Sequence, residues 1–230
     1  MAMDDGDGMR AVDCGVGWVL RPAIPAAAPW AGVPVALRDS APSTAPAAAV
    51  GLVADVGDDE SVAPAVSAAV TSLGGLDIVV NNAGIGAQGT VETNPLDEWR
   101  RVFDVNVFGM VRVVRSALPH LRQSAHAAIV NTCSIAATAG LPERALYSAS
   151  KGAVLSLTLA IATDHLHERI RVYRVNPGTT DTPWIGRLLD EAADTTATRA
   201  LHEARQPAHP LDARDQASPR VRLRARTTTR

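Results

Sequence analysis

LDIVVNNAG, residues 76–84, carries the clearest fold signal in this chain of 230 residues. Its first half is a short apolar run, which is typical of a strand buried on both faces of a parallel sheet. Its second half turns polar and small, and Ala83 and Gly84 leave room for a flat ligand to approach the backbone. An ordinary strand-to-loop turn is the simpler interpretation of this second half. The stretch therefore predicts a buried strand whose end either turns or lines a ligand site.

Strands and helices alternate along the chain around this stretch. Asp58 or Asp59 is a suitable N-cap for the first helix, and Gly74 is a suitable stop signal. Strand, helix and strand in series imply a parallel sheet with right-handed crossovers, which is the doubly wound, Rossmann-like α/β architecture. The predicted strands are residues 50–54, 77–80, 127–132 and 170–175, and the predicted helices are residues 58–73, 95–123 and 146–168.

The two ends of the chain break this pattern. Residues 1–49 are interrupted by prolines, and the helical periodicity stops at Pro207. Arginines then crowd the last eleven residues, without the aromatic residues that nucleic-acid-binding arms often add. We therefore predict a single domain over residues 1–205, with an irregular start over residues 1–49, and a basic, disordered tail over residues 206–230.

Composition limits the classes of function. Hydrophobic residues make up 47% of the chain and charged residues 20%, and the net charge is −2, so neither nucleic acid nor an anionic membrane is an expected partner. The two cysteines, Cys14 and Cys133, are too few for a disulfide framework or a metal site, which suits a reducing cytoplasm. No apolar run reaches the length of about 18 residues that a membrane span needs.

Lys151 is the only lysine among 22 basic side chains, and it follows Tyr147 by four residues. Residues four apart share one face of a helix, where an ammonium would lower the pKa of a phenol from its usual value of about 10. Tyr147 would then donate and accept protons near neutral pH, although such pairs also arise by chance on solvated helices. Two further candidates are Ser134, just after the strand 127–132, and Asn106, inside a helix that disfavours it. A turn serine and a local helix kink are the simpler interpretations.

In order and spacing, these residues resemble the single-domain branch of the short-chain dehydrogenase/reductase family. The resemblance covers about residues 50–190. It implies a cytoplasmic, NAD(P)-dependent oxidoreductase that moves a hydride between nicotinamide and an alcohol or carbonyl carbon of a small-molecule substrate. The residues that carry the resemblance are Asp55-Val56, Asn81-Asn82-Ala83-Gly84, Asn106, Ser134, Tyr147, Lys151, Pro177-Gly178 and Thr182.

The resemblance also implies a role for each residue. Tyr147 would be the general acid and base, Lys151 would lower its pKa and hold the nicotinamide ribose, and Ser134 would bind the substrate oxygen. Asn106 would anchor a water that links Lys151 to solvent. The cofactor-binding set is completed by Gly15 in the phosphate turn, Asp55 and Val56 beside the adenine, Asn82, Ala83 and Gly84 on the adenosine-ribose side, and Pro177, Gly178 and Thr182 at the nicotinamide end.

The cofactor preference and the phosphate turn both depend on the first fifty residues. Asp39 would bind the ribose 2′-hydroxyl and repel a 2′-phosphate, so NAD is favoured, with NADP as the alternative because Arg38 is adjacent. Val19 and Arg21 stand where the family has the second and third glycines of the phosphate turn. Prolines interrupt the helix expected next, and Asp13 puts a carboxylate in the expected first strand. One hypothesis is that shifted reading frames altered both ends.

Two alternatives to an active oxidoreductase are kept open. A catalytically silent family member would serve as a binding or oligomerisation module, because the phosphate turn has lost glycines. An extended sugar-nucleotide epimerase shares the Tyr–Lys pair, but the chain is short for it. The resemblance further implies a homodimer or homotetramer built on a four-helix bundle. The apolar residues suited to that bundle, or to packing on the sheet, are Val111, Val113, Val114, Leu155, Leu157 and Ile161.

Overall fold

A computed structural model describes residues 11–14, 35–38 and 50–177, together with Thr196. The strands of this part are β1 (Ala11–Cys14), β2 (Val35–Arg38), β3 (Val50–Gly51), β4 (Ile78–Asn81), β5 (Ala128–Thr132) and β6 (Arg171–Val175). They form one sheet in the order β3-β2-β1-β4-β5-β6, and every pairing is parallel. The strand order reverses direction between β1 and β4, which defines the doubly wound architecture. The predicted fold class is therefore confirmed.

The described helices lie between these strands. They are α1 (Asp59–Leu73), α2 (Leu96–Phe103), a π-helical segment (Asp104–Phe108), α3 (Gly109–Leu121) and α4 (Ala145–Asp164), with 3-10 turns at Ile135–Ala137 and Leu166–Glu168. The caps of α1 are those predicted: the Asp58 side chain accepts a hydrogen bond from the Glu60 amide, and Gly74 adopts a left-handed φ of 72°. Caps of this kind satisfy backbone groups that the helix itself leaves unpaired.

Three predicted boundaries were wrong, each for a local reason. The strand 50–54 is only Val50–Gly51, because the chain turns at Asp55, whose Oδ1 accepts the Gly57 amide at 2.8 Å. The helix 95–123 is divided by the π-helical segment. The helix 146–168 ends at Asp164, because His165 leaves the helical conformation with φ −107°; a 3-10 turn follows, and Arg169, with a left-handed φ of 61°, leads into β6.

The central strand β4 is buried along its whole length. Val79 is fully buried in the main hydrophobic cluster, which α1 and α3 complete, whereas Ile78 and Val80 belong to a second cluster on the opposite side of the strand. This two-sided burial explains why the strand reads as an uninterrupted apolar run. Asp13 is part of β1, where its backbone pairs in register with Leu37 and Val80.

A chain of buried polar side chains ties the sheet to α4. Asn81 Nδ2 donates to Asn131 Oδ1 at 2.8 Å, Asn131 Nδ2 donates to Thr158 Oγ1 at 3.0 Å, and Thr158 Oγ1 donates to the Val154 carbonyl at 2.7 Å. All three side chains that donate are nearly inaccessible to solvent. Because buried polar groups are costly without partners, these bonds fix the position of α4 along β5.

The helix α4 is also the one described helix that is long and apolar enough to cross a membrane, with a mean hydropathy of 1.3. This is weak evidence, because helices packed in a core have the same composition. Its residues Leu146, Val154 and Ile161 are buried in the domain. Among the residues suited to an oligomer contact, Val113, Val114 and Ile161 belong to the core.

Candidate active site

Ser134 and Tyr147 meet at the carboxyl end of β5. Ser134 lies two residues beyond the strand and caps the following 3-10 turn, where its Oγ accepts a hydrogen bond from the Ala136 amide at 3.2 Å. Tyr147 lies in the first turn of α4, and its side chain is hydrogen-bonded to that of Ser134. The two hydroxyl groups that sequence reasoning selected, thirteen residues apart, are therefore in contact.

Lys151 lies one helical turn beyond Tyr147 and is buried, with 4% of its surface exposed. Its Nζ donates to the Thr132 carbonyl at 2.9 Å and lies 5.8 Å from the centroid of the Tyr147 ring. On the same side of α4, the Cys133 thiol donates to the Lys151 carbonyl at 3.3 Å. These two contacts hold the middle of α4 against the last residues of β5.

Burial moves the pKa values of the two ionisable side chains in opposite directions. It lowers the pKa of Lys151 from 10.5 to about 8, against a weaker raising effect of Cys133. It raises the pKa of Tyr147 above 10.0, and the hydrogen bond from Ser134 and the charge of Arg144 only partly oppose this. The expected lowering of the phenol pKa is therefore not seen here, because desolvation of the buried phenol dominates.

Asn106 is fully buried in the π-helical segment and binds two other parts of the chain. Its Oδ1 accepts the Ile85 amide at 2.8 Å, and its Nδ2 donates to the Ile85 carbonyl and to Ser150 Oγ, each at 3.0 Å. A π turn contains one residue more than an α turn, so it changes which side chain faces inward. The kink suggested for Asn106 exists, and it presents the amide to the loop after β4 and to α4.

Gly84 lies between Asn106 and Lys151. A Cβ at this position would lie 3.3 Å from Asn106 Oδ1 and 3.4 Å from Lys151 Nζ. The contact with Asn106 is tighter than most Cβ atoms make, so that amide would have to shift slightly, whereas the distance to Lys151 is an ordinary van der Waals contact. The small residue predicted to permit close approach of a ligand therefore keeps open a gap between an amide oxygen and an ammonium.

The other predicted cofactor residues fall into two groups. Asn82 and Ala83 are buried beside this gap, and Asn82 Oδ1 accepts a hydrogen bond from Thr132 Oγ1 at 3.0 Å. Asp55 is exposed and Val56 is buried in the turn after β3, while Pro177 follows β6. Gly15, Asp39, Gly178 and Thr182 lie outside the described residues.

Sequence reasoning missed two residues that act on the site. The Thr132 carbonyl accepts the hydrogen bond from Lys151 Nζ, and the Thr132 hydroxyl donates to Asn82 Oδ1. Arg144 is buried three residues before Tyr147, and its charge acts to lower the pKa of that phenol. The helical spacing of three residues was a usable signal for Arg144. The position of Thr132 as the last residue of a strand was a usable signal for its carbonyl.

A family model and an individual relative that match this chain are both dehydrogenases. The model of the short chain dehydrogenase family matches residues 35–192, more than half of the chain. An inactive 2-(S)-hydroxypropyl-CoM dehydrogenase 2 from Xanthobacter autotrophicus is 42% identical over 149 residues, which are 64% of this chain and 65% of that relative. The chain thus spans somewhat less than two thirds of that relative's length.

Two solved structures share the fold over most of their length. An NAD+-bound xylitol dehydrogenase has a TM-score of 0.85 and 25% identity, with 96% of this chain and 94% of the other covered. A gluconate 5-dehydrogenase from Burkholderia cenocepacia, in complex with NADP and tartrate, has a TM-score of 0.81 and 27% identity, with 92% of this chain and 86% of the other covered. The two neighbours therefore carry different nicotinamide cofactors.

The raised pKa of Tyr147 is measurable, because the chain has only two tyrosines. In the Tyr173→Phe variant, the absorbance of tyrosinate reports Tyr147 alone. We expect its midpoint above pH 10.0 in the cofactor-free protein, and a further increase when Ser134→Ala removes the hydrogen bond that lowers it. A midpoint at or below the usual value, with circular dichroism showing an intact fold, would contradict the burial of this phenol.

Lys151 should make stability depend on pH. A lysine whose pKa is lower in the folded state binds fewer protons there than when unfolded, so stability rises with pH between the two values. We expect the free energy of unfolding of the wild type, relative to Lys151→Met, to rise between about pH 8 and pH 10.5, by on the order of 1–3 kcal/mol. Denaturant titrations across that window test this. Arg100→Met, at an exposed position, should show no such slope, and a flat difference for Lys151→Met overturns the prediction.

Proposed function

Since this chain belongs to the short-chain dehydrogenases, we propose that it is a nicotinamide-dependent oxidoreductase acting on a small-molecule alcohol or carbonyl compound. The observation that carries the proposal is the contact of Ser134 with Tyr147 at the end of β5, with the buried Lys151 one helical turn away. A hydroxyl pair backed by an amino group has the donors and acceptors needed to bind a carbonyl oxygen and exchange a proton with it.

The residues present fit the nicotinamide end of such a cofactor. Among the described residues, the Lys151 ammonium makes a single hydrogen bond, to Thr132, so two of its three N–H groups are available to ribose hydroxyls. The gap above Gly84 is open because that residue has no side chain. Asn82 and Ala83 would line the adenosine-ribose side, the Asp55–Val56 turn would flank the adenine, and Pro177 would lie at the nicotinamide end. Gly15, Asp39, Gly178 and Thr182 complete the proposed set.

The chain's own residues would then handle the proton and the orientation of the substrate. Tyr147 Oη would donate its proton to a carbonyl oxygen, or take it back from an alcohol, while Ser134 Oγ would hold that oxygen in place. Orientation of this kind matters, since a displacement of about 1 Å can cost on the order of a hundredfold in rate. A bound nicotinamide would supply or accept the hydride. Lys151 would return a proton to Tyr147, and a water anchored by Asn106 would link Lys151 to solvent, from which that proton is replaced.

The direction of the pKa shift keeps the phenol of Tyr147 protonated. With the pKa of Tyr147 above its usual value, the phenol is protonated at neutral pH and would protonate the oxygen of a carbonyl compound as a nicotinamide supplies the hydride, although the same shift makes it a weaker acid. Oxidation of an alcohol needs the phenolate instead, so it should require a higher pH. We propose NAD as the cofactor, on the strength of Asp39, with NADP as the alternative. A cytoplasmic location is consistent with the free, buried thiol of Cys133.

A catalytically silent binding or oligomerisation module is the second candidate. Two observations favour it: the relative named inactive is 42% identical, and Val19 and Arg21 stand at glycine positions of the phosphate turn. Bulk in that turn would keep the backbone from approaching a pyrophosphate. The two candidates differ in whether the purified protein binds a nicotinamide cofactor at all.

Tyr147→Phe tests the proposed chemistry directly. The change removes only the hydroxyl, so we expect turnover to fall by about 10²–10⁴-fold while affinity for NADH is retained. Tyr173→Phe is the matched control, because it removes the other tyrosine hydroxyl and should leave turnover unchanged. Steady-state rates and NADH fluorescence titrations give the two readouts. Full turnover by Tyr147→Phe would rule out the assigned role.

The two candidate functions predict different results for the wild type, because an oxidoreductase must bind a nicotinamide cofactor and a silent module need not. A cofactor that binds the folded state stabilises it by about 2.7 kcal/mol at a concentration a hundred times Kd. If neither NADH nor NADPH raises the unfolding temperature, the oxidoreductase proposal fails and the silent module is supported.

We propose that two copies associate through α3 and α4. Leu159 on α4 and Phe108 just before α3 are both more than half exposed, at 59% and 53%, and large apolar side chains at such positions suit a helix-to-helix contact. Of the apolar residues predicted for that contact, Val111, Leu155 and Leu157 are partly exposed on the same helices. The outcome would be a homodimer, or a homotetramer if a second surface is used.

Leu159→Asp should break this association. A carboxylate buried in an apolar interface has no partner, so we expect the variant to elute as a monomer in size-exclusion chromatography with light scattering, while the wild type is at least a dimer. Val53→Asp is the control, because Val53 is 81% exposed and belongs to neither helix. A monomeric wild type, or an unchanged mass for Leu159→Asp, contradicts the proposed interface.

A further inference from the structure

Arg112, on α3, makes four hydrogen bonds to residues that lie outside its own helix. Its Nε donates to Asp59 Oδ1 at 2.8 Å, its Nη2 to Asp104 Oδ1 at 2.8 Å, and its Nη1 to the carbonyls of Val56 and Asp104 at 3.0 and 3.3 Å. The side chain is only 17% exposed. One guanidinium therefore joins three segments: the turn after β3, the first residue of α1 and the start of the π-helical segment.

The same turn rests directly on the helix backbone. A Cβ on Gly109 would lie 3.1 Å from Val56 Cβ and 3.3 Å from the Val56 carbonyl oxygen. A Cβ on Gly57 would lie 3.1 Å from Asp104 Oδ2. The two glycines thus allow the turn and the helical segments to pack closely, and Arg112 forms hydrogen bonds between them.

The turn held in this way contains Asp55 and Val56, which were assigned to the adenine. Asp55 Oδ1 accepts the Gly57 amide at 2.8 Å, and the Asp55 amide donates to Ser61 Oγ at 2.8 Å, so the local bonds set the shape of the turn. Those bonds do not fix where the turn lies relative to the rest of the domain. The bond from Arg112 to the Val56 carbonyl ties the turn to α3, together with the contact of Val56 with Gly109.

We propose that Arg112 is a positioning residue that holds the Asp55–Val56 turn in place for the adenine end of the cofactor. The inference rests on the proposed function. The planar guanidinium can bond Asp59, Asp104 and Val56 at once, whereas the single ammonium of a lysine cannot span the three directions. Since Asp59 is 80% exposed, its ion pair contributes little, and the bonds to Val56 and Asp104 carry the effect.

The test compares both ends of the site in Arg112→Met and Arg112→Lys, with Arg115→Met as the control. Arg115 is exposed on the same helix. Isothermal titration with ADP-ribose reports the adenine end, NADH fluorescence reports the whole dinucleotide, and the alkaline titration of Tyr147, in the Tyr173→Phe background, reports the catalytic end. We expect Kd for ADP-ribose and for NADH to rise about tenfold in both Arg112 variants, with an unchanged Tyr147 midpoint and no change for Arg115→Met.

Hydrogen exchange gives a readout that needs no ligand. The Gly57 amide should exchange faster in Arg112→Met than in the wild type, while the Ile85 amide, bonded to Asn106, should not. Unchanged affinities overturn the inference. A loss of affinity that comes with a shift of the Tyr147 midpoint also overturns it, because that outcome indicates a general loosening of the fold. If the wild type binds neither NADH nor NADPH, the proposed function fails as well. If the wild type binds and the variants bind equally well, only the role of Arg112 fails.

Discussion

The docking of α4 against β5 is the constraint on which the rest of the site depends. The helix buries an amino group, and a buried amino group without partners is costly. Lys151 meets this requirement by donating to the Thr132 carbonyl, the Cys133 thiol donates back to the Lys151 carbonyl, and Asn131 bonds Thr158 two helical turns further on. Sliding α4 along the strand would break all of these bonds together. These bonds fix the position of α4 along β5, and that position places Tyr147 beside Ser134.

The π-helical segment is the second device that shapes the site. It adds one residue to a turn between α2 and α3, and such insertions are uncommon because their hydrogen bonds are less favourable. In this segment, Asn106 forms hydrogen bonds with both Ile85, in the loop after β4, and Ser150, on α4. The loop that flanks Gly84 and the helix that carries Tyr147 are therefore held by one amide. Arg112 then anchors the start of this segment to the turn after β3.

Burial disfavours charge on both ionisable side chains of the site. Desolvation raises the pKa of Tyr147 and lowers that of Lys151, so each shift favours the neutral form of its group. At neutral pH the phenol keeps its proton, while the ammonium, with a pKa of about 8, is close to losing one. Ser134 and Arg144 act against the shift of the phenol, which makes them the residues that adjust its acidity. When Tyr147 donates its proton it would become a phenolate, whose charge is disfavoured by burial and favoured by Ser134 and Arg144.

Periodicity and turn chemistry in the sequence determined the parallel sheet, the caps at Asp58 and Gly74, and the presence of Ser134, Tyr147 and Lys151 at one end of a strand and the start of a helix. These features depend on neighbours within a few residues, which is why local patterns predict them. The π turn, the partners of Arg112 and the bond from Lys151 to Thr132 were decided by tertiary structure. They join segments up to 56 residues apart, as Arg112 and Val56 show, and their geometry follows from how helices pack on the sheet. The pKa shifts belong to the same class, because the degree of burial that causes them is a property of the folded interior and not of any short segment.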